Sequence, residues 1–237
     1  MSASNSGAER RGNGEIIALI PAYNEARYIA NVVAGAAKHL PVVVVDDGSS
    51  DGTGGAAALA GAKVISHGRN QGKGKALLTG FDYAIQRGVD AALTLDADGQ
   101  HDPDEIPLFV EAFQAGKGDI IIGQRQYGQM PAKSRFGNNV GSFLLEFAMG
   151  RPIPDNQSGY RLFSRRAMQE VRPTSTRFEA EVEMLLRADF AGLTIGWVPI
   201  RTIYNDKKSH FRPIKDSALF LKMTWRIWRA RVRGSFE

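Results

Sequence analysis

The chain has 237 residues, 43% of them hydrophobic, which fits one sizeable domain with a buried core. It holds no cysteine, so disulfides and thiolate metal sites are excluded and a reducing cytoplasm is permitted. No apolar run approaches the ~18 residues of a membrane span. The net charge of +5 is unevenly placed: residues 201–237 carry ten Lys/Arg against three Asp/Glu, and the remainder is slightly acidic. That asymmetry points to an anionic partner for the end of the chain, either a membrane surface or a nucleic acid.

In chain order, residues 1–14 are polar and Gly/Ser-rich, lack the apolar core of a signal peptide, and read as a disordered tail. Ile16–Ile20 is a strand candidate, and Ala26–Leu40 reads as a helix. Val42–Val45 is four valines in a row, the pattern of a strand covered on both faces. A turn-rich stretch, 46–53, leads to a small-residue helix over 54–60 and a strand over 62–66. A glycine-rich segment, 67–74, opens a helix that runs to about Gly88. Ala91–Leu95 is a strand, Pro103 opens a helix to Ala115, and Asp119–Gly123 is a strand. Further on, Ser134–Met149, 178–191 and 216–232 read as helices, and 160–164 and 194–200 as strands. Strands alternating with helices predict an α/β domain with a mostly parallel, doubly wound sheet, spanning 15–215 and followed by a terminal helix.

The chemistry gathers where the 91–95 strand ends. The apolar run breaks into Asp96-Ala-Asp98-Gly-Gln100-His-Asp102. Alternate residues of an extended chain share a face about 7 Å apart, so a turn at Gly99 brings Asp96, Asp98 and Gln100 near one cation. Hard divalent ions take few protein carboxylates and fill their shell with water and phosphate oxygens. Two other strand ends, Pro21–Glu25 and Asp46–Ser49, present polar clusters at the same edge of a parallel sheet. Ligands of open α/β sheets bind at that edge. The glycine-rich segment fails as a P-loop: His67 stands where the first Gly belongs, and Gly74 where Ser or Thr belongs. Its glycines and Lys73 can still approach a nucleotide.

The ordered set Pro-Ala-Tyr-Asn-Glu at 21–25, Asp-Asp-Gly-Ser-Ser-Asp-Gly-Thr at 46–53, Asn-Gln-Gly-Lys-Gly at 70–74 and Asp-Ala-Asp-Gly-Gln at 96–100 resembles the family 2 glycosyltransferases. Gly123-Gln-Arg125, Ser134-Arg135 with Asn138, and Asp155–Arg161 make it most similar to the dolichol-phosphate mannose synthases and their bacterial polyprenyl-phosphate relatives. The resemblance implies a GT-A fold that binds a nucleotide-sugar, typically GDP-mannose, with Mg²⁺ or Mn²⁺. It places nucleotide-sugar contacts at Pro21, Tyr23, Glu25, Asp47, Lys73 and Asp96, and metal contacts at Asp96, Asp98 and Gln100. It further implies that Asp98, Arg125 and Arg135 carry the transfer, the arginines by gripping phosphates. Asp155, Arg161, Ser209 and His210 fall on the acceptor side. A phosphate acceptor needs no general base, since its second pKa is about 6. Asp155 is the candidate base if the acceptor were a sugar hydroxyl.

The end of the chain bears on the acceptor. Lys222, Arg226, Arg229 and Arg233 form one helical stripe beside Leu221, Trp225, Trp228 and Val232. A basic helix with tryptophans suits a membrane interface, and no nucleic-acid module is recognisable. The expectation is therefore a cytoplasmic, peripherally membrane-associated transferase acting on a polyprenyl phosphate. A chain without its own span also fits a separate membrane subunit. Two other readings compete. A family 2 enzyme with a soluble sugar or glycan acceptor would leave no label in an organic extract. A nucleotide-binding regulator without turnover would release no nucleoside diphosphate.

Overall fold

A computed structural model describes residues 14–125, 146, 150, 153–155, 158–175, 179–201 and 203. The predicted helix over 134–149, save residue 146, the helix over 216–232 and the tail at 1–13 lie outside them. Seven strands form one sheet: β1 (Ile16–Ala22), β2 (Val42–Asp46), β3 (Lys63–Ser66), β4 (Ala91–Thr94), β5 (Ile120–Arg125), β6 (Arg161–Ser164) and β7 (Ile195–Ile200). Their order is β3-β2-β1-β4-β6-β5-β7. All neighbours are parallel except β6, which runs against both β4 and β5. Periodicity marks 160–164 as a strand but carries no direction, so the sequence left this reversal unseen.

Helices α1 (Ile29–Ala36), α2 (Thr53–Leu59) and α4 (Ile106–Gln114) cover one face. There Ala18, Ile20, Val44 and Leu93 meet Val33, Ala57 and Phe109. Helices α3 (Lys73–Gln86), α5 (Arg165–Glu170) and α6 (Glu179–Phe190) cover the other. On that side Leu19, Val43, Val45 and Ile122 meet Phe81, Met168 and Met184. Residues of β1 and β2 alternate between these two cores, which is why their sequences are continuously apolar. Helix α5 was not anticipated, although its cap is visible: Ser164 accepts the Ala167 N–H at 3.0 Å.

The chain passes from β1 outward through β2 to β3, then returns to lay β4 on the other side of β1. The β1/β4 boundary is the point where the winding reverses. In open α/β sheets the ligand crevice lies at such a reversal, beyond the carboxyl ends of the strands.

One buried carboxylate ties α6 to residues 174 and 175 ahead of it. Glu183 accepts the Thr174 N–H (3.0 Å), the Thr174 hydroxyl (3.1 Å) and the Ser175 N–H (2.9 Å), and pairs with Arg187 at 2.8 Å. Burial would push its carboxyl up, but these donors outweigh it and bring the pKa to about 2. A depressed carboxylate stabilises the fold above its unfolded pKa of about 4.3, and that contribution fades as pH falls toward 2. Glu183→Gln is therefore expected to cost about 2 kcal/mol at pH 7. Urea unfolding at pH 7 and pH 3 should show the wild-type advantage shrinking in acid.

Candidate active site

The β4 strand delivers its acids to the crevice. Ala97 is buried in the core, while Asp96 and Asp98 on either side of it are half-buried at the rim. Gly99 turns the chain with φ 76°, and the Gln100 N–H closes on Asp98 Oδ1 at 3.1 Å. The acidic loop is pinned at several points. His101 Nδ1 accepts the Asp96 N–H at 3.0 Å, and its ring stacks on Tyr160 with centroids 4.8 Å apart. The Tyr160 hydroxyl donates to the Asp102 carbonyl (3.0 Å), and the Ile203 N–H donates to the Gln100 carbonyl (3.1 Å). An acceptor at Nδ1 places the ring proton on Nε2. Burial pushes the His101 imidazole below its usual value, in keeping with a neutral ring.

Three elements converge on Asp96. Lys73, the first residue of α3, lies 2.5 Å from Asp96 Oδ1 and 2.7 Å from Glu181 Oε1 on α6. Burial alone would raise the Asp96 carboxyl, but the Lys73 ammonium reverses this and holds it well below the ordinary range. Burial likewise opposes the Lys73 charge, and the two carboxylates overcome it, so the ammonium stays protonated. Gly159 makes room: a Cβ there would sit 2.8 Å from Asp96 Oδ2 and 3.1 Å from Glu181 Oε1. Its carbonyl is fixed by the Thr94 hydroxyl at 2.8 Å.

The other two strand ends are locked together. Asn24, with φ 54°, donates its N–H to Ser49 Oγ, and its side-chain oxygen accepts the Ser50 N–H, both at 2.9 Å. The N–H groups of Glu25 and Ala26 go to Thr53 Oγ1 (2.8 Å) and Asp51 Oδ2 (3.0 Å). The Glu25 carbonyl accepts both the Tyr28 and the Ile29 N–H, so a turn leads into α1, which begins at Ile29 rather than at Ala26 as expected. Pro21 is buried beside β2, Glu25 is half-buried, and Tyr23 stands at the rim, 46% exposed.

Asp47, expected against the nucleotide, is turned inward. Its carboxylate accepts the Gln71 and Gly72 N–H groups at 2.9 and 2.7 Å and meets His67 Nδ1 at 2.6 Å. His67 in turn reaches Thr79 Oγ1 at 3.0 Å. Asp47 thus supplies the anion that the entry of α3 attracts. It anchors the glycine-rich loop and, through it, Lys73. Gly48, with φ 75°, lets that loop pass: a Cβ there would lie 2.5 Å from the Arg69 backbone.

The remaining expected residues divide sharply. Arg125 grips Asp155 in a two-pronged fork, Nε to Oδ2 at 2.7 Å and one terminal nitrogen to Oδ1 at 2.9 Å. Asp155 is wholly buried under that fork, which does not suit a proton acceptor open to substrate. Arg161 is also buried and donates to the carbonyls of Ser158 (2.7 Å) and Glu181 (2.8 Å), so it braces the site rather than lining an acceptor path. Arg135, Ser209 and His210 lie outside the described residues.

Among the described residues no group of three or more His, Asp or Glu side chains forms a cage for a metal. The donor chemistry still fits a hard divalent ion: Asp96, Asp98 and Gln100 are half-buried oxygen donors around the Gly99 turn, and such an ion takes its remaining ligands from phosphate and water. Glu181 and His101 were missed in the sequence. The available signal for Glu181 was a pair of glutamates, Glu181 and Glu183, at core positions beside Met184 and Leu185 on one helix.

Comparison with known proteins bears on this arrangement. A UDP-N-acetylglucosamine--dolichyl-phosphate N-acetylglucosaminyltransferase from Methanococcus voltae is 34% identical, over 81% of this chain and 86% of that protein. An undecaprenyl-phosphate mannosyltransferase from Micrococcus luteus is 30% identical, over 78% of this chain and 82% of that protein. The glucosyl-3-phosphoglycerate synthase of Mycobacterium tuberculosis, solved with Mn²⁺, UDP and phosphoglyceric acid, shares the GT-A fold. Its TM-score is 0.72 over 92% of this chain and 78% of that one, at 21% identity. With the sequence profile of glycosyl transferase family 2 matching residues 17–172, the chain belongs to that family.

Proposed function

We propose that the chain transfers a hexose from a nucleotide-sugar to a polyprenyl phosphate. The observation that carries this reading is the acidic rim, Asp96 and Asp98, at the winding reversal of a GT-A sheet. The acceptor class is supported by relatives named for dolichyl and undecaprenyl phosphates. The donor carried forward from the sequence is GDP-mannose, and the N-acetylglucosaminyltransferase relative makes UDP-N-acetylglucosamine its competitor.

The transfer is a single displacement with inversion. An acceptor phosphate oxygen forms a bond to the sugar C1 while the bond from C1 to the diphosphate oxygen breaks. The electron pair leaves with the nucleoside diphosphate. The attacking monoester is already anionic near neutral pH, so no general base is required. This agrees with Asp155 being tied to Arg125. A divalent ion at Asp98, Gln100 and Asp96 supplies positive charge to the departing diphosphate when bound. The chain's own residues orient the reactants: Tyr23 and Glu25 border the nucleotide end of the crevice, and Lys73 presents a fixed charge beside Asp96. No helix among the described residues is long and apolar enough to cross a membrane. Contact with the lipid surface is assigned to the basic stripe at 222–233.

The test is transfer of label. GDP-mannose, UDP-N-acetylglucosamine and UDP-glucose, each labelled in the sugar, are incubated with the protein, Mn²⁺ and a polyprenyl phosphate in detergent. One of them is expected to give an organic-extractable product labile to mild acid. Label that reaches only soluble glycans would contradict the reading.

A further inference from the structure

Lys73 stands in a poor place for a cation. It opens α3, where the aligned peptide groups present partial positive charge. Two carboxylates from distant parts of the chain compensate, Asp96 at 2.5 Å and Glu181 at 2.7 Å. An ammonium has three N–H donors, and these two acids are the protein partners of Lys73 among the described residues. The side chain nevertheless remains 23% exposed, so its third donor has a way out of the rim.

Glu181 is itself held firmly. The buried Arg161 guanidinium grips the Glu181 carbonyl at 2.8 Å and joins it to Ser158. Gly159 leaves the Glu181 carboxylate its space against Asp96. The family profile ends at residue 172, before this helix begins.

We propose that Glu181 is a positioning residue for Lys73: together with Asp96 it aims the third N–H of the ammonium toward the diphosphate of the bound donor. The inference rests on the reading of the chain as a nucleotide-sugar transferase. Its physical basis is the division of labour between two acids. Paired with Asp96 alone, a flexible four-carbon stem would swing whenever that carboxylate turned to a cation or to the donor. Glu181, anchored through Arg161, keeps the ammonium in place while Asp96 is engaged. Glu181 touches no reacting atom and acts through Lys73.

The experiment compares the full chain, Glu181→Gln, Lys73→Met and the double variant. Titration calorimetry uses UDP and GDP, each with Mn²⁺, and steady-state kinetics are run with the active nucleotide-sugar. Glu181→Gln is expected to weaken nucleoside diphosphate binding about tenfold. The loss should appear in the donor KM, with kcat held within about threefold. The double variant should bind no worse than Lys73→Met, because nothing is left for Glu181 to aim. If Glu181→Gln does not fold, as judged by thermal unfolding, Glu181→Asp carries the same comparison with a shorter reach. Wild-type affinity in Glu181→Gln, losses that simply add in the double variant, or a fall in kcat at unchanged donor KM would each overturn the inference alone. A wild-type chain that binds neither nucleotide overturns the transferase reading and this inference with it.

Discussion

Gly159→Val is expected to lower sugar transfer about a hundredfold while the protein stays folded. The site has no room for a side chain at this position. Even a Cβ would lie 2.8 and 3.0 Å from the two Asp96 carboxylate oxygens and 3.1 Å from Glu181 Oε1. Moving Asp96 aside would break its contact with Lys73 at Oδ1. The valine therefore separates the Lys73–Asp96–Glu181 cluster, and an acid displaced by about an ångström no longer supports the donor. Gly159 does not have positive φ, so the requirement is space and not backbone strain. Gly159→Ala should fall between wild type and Gly159→Val. The check is kcat/KM alongside thermal unfolding: a large loss of turnover with a small change in Tm is predicted.

Asp98→Ala is expected to cut transfer about a hundredfold or more, with little change in stability. The two acids of the rim do different work. Asp96 is built into the protein by Lys73 and His101, and its removal leaves Lys73 with Glu181 as its remaining acid. Asp98 sits half-buried, where it accepts the local Gln100 N–H. In the proposed reading Asp98 holds the divalent ion, so the variant should also lose the dependence of rate on Mn²⁺ concentration. Rates measured across a Mn²⁺ series for both proteins check this.

Much of the frame was legible because it is written locally. The valines of β2, the capping and turn residues at 46–53 and the break from Leu95 into Asp96 each fix an element or its end from neighbouring residues. Strand ends in a parallel sheet fall at one edge, so the candidate rim could be placed before any contact was known. What stayed hidden depends on residues far apart in sequence. Nothing near Asp47 announces that it caps α3 through Gln71 and Gly72, and nothing near Asp155 announces the Arg125 fork. The Lys73–Glu181 pair spans α3 to α6 and was invisible for the same reason. The start of α1 was misjudged because a turn closed on the Glu25 carbonyl by Tyr28 and Ile29 precedes the regular helix. Arg161 was expected on the acceptor side, and its burial could not be seen in a four-residue strand whose neighbours are unknown.

The central claim is that the acids at the end of β4 hold the donor's diphosphate through a divalent ion. Titration calorimetry of GDP and UDP onto the wild type and onto the Asp96→Ala, Asp98→Ala double variant, with and without Mn²⁺, tests it most directly. The account predicts binding by the wild type that requires Mn²⁺ and no measurable binding by the double variant. Equal, Mn²⁺-dependent binding by both proteins would contradict it.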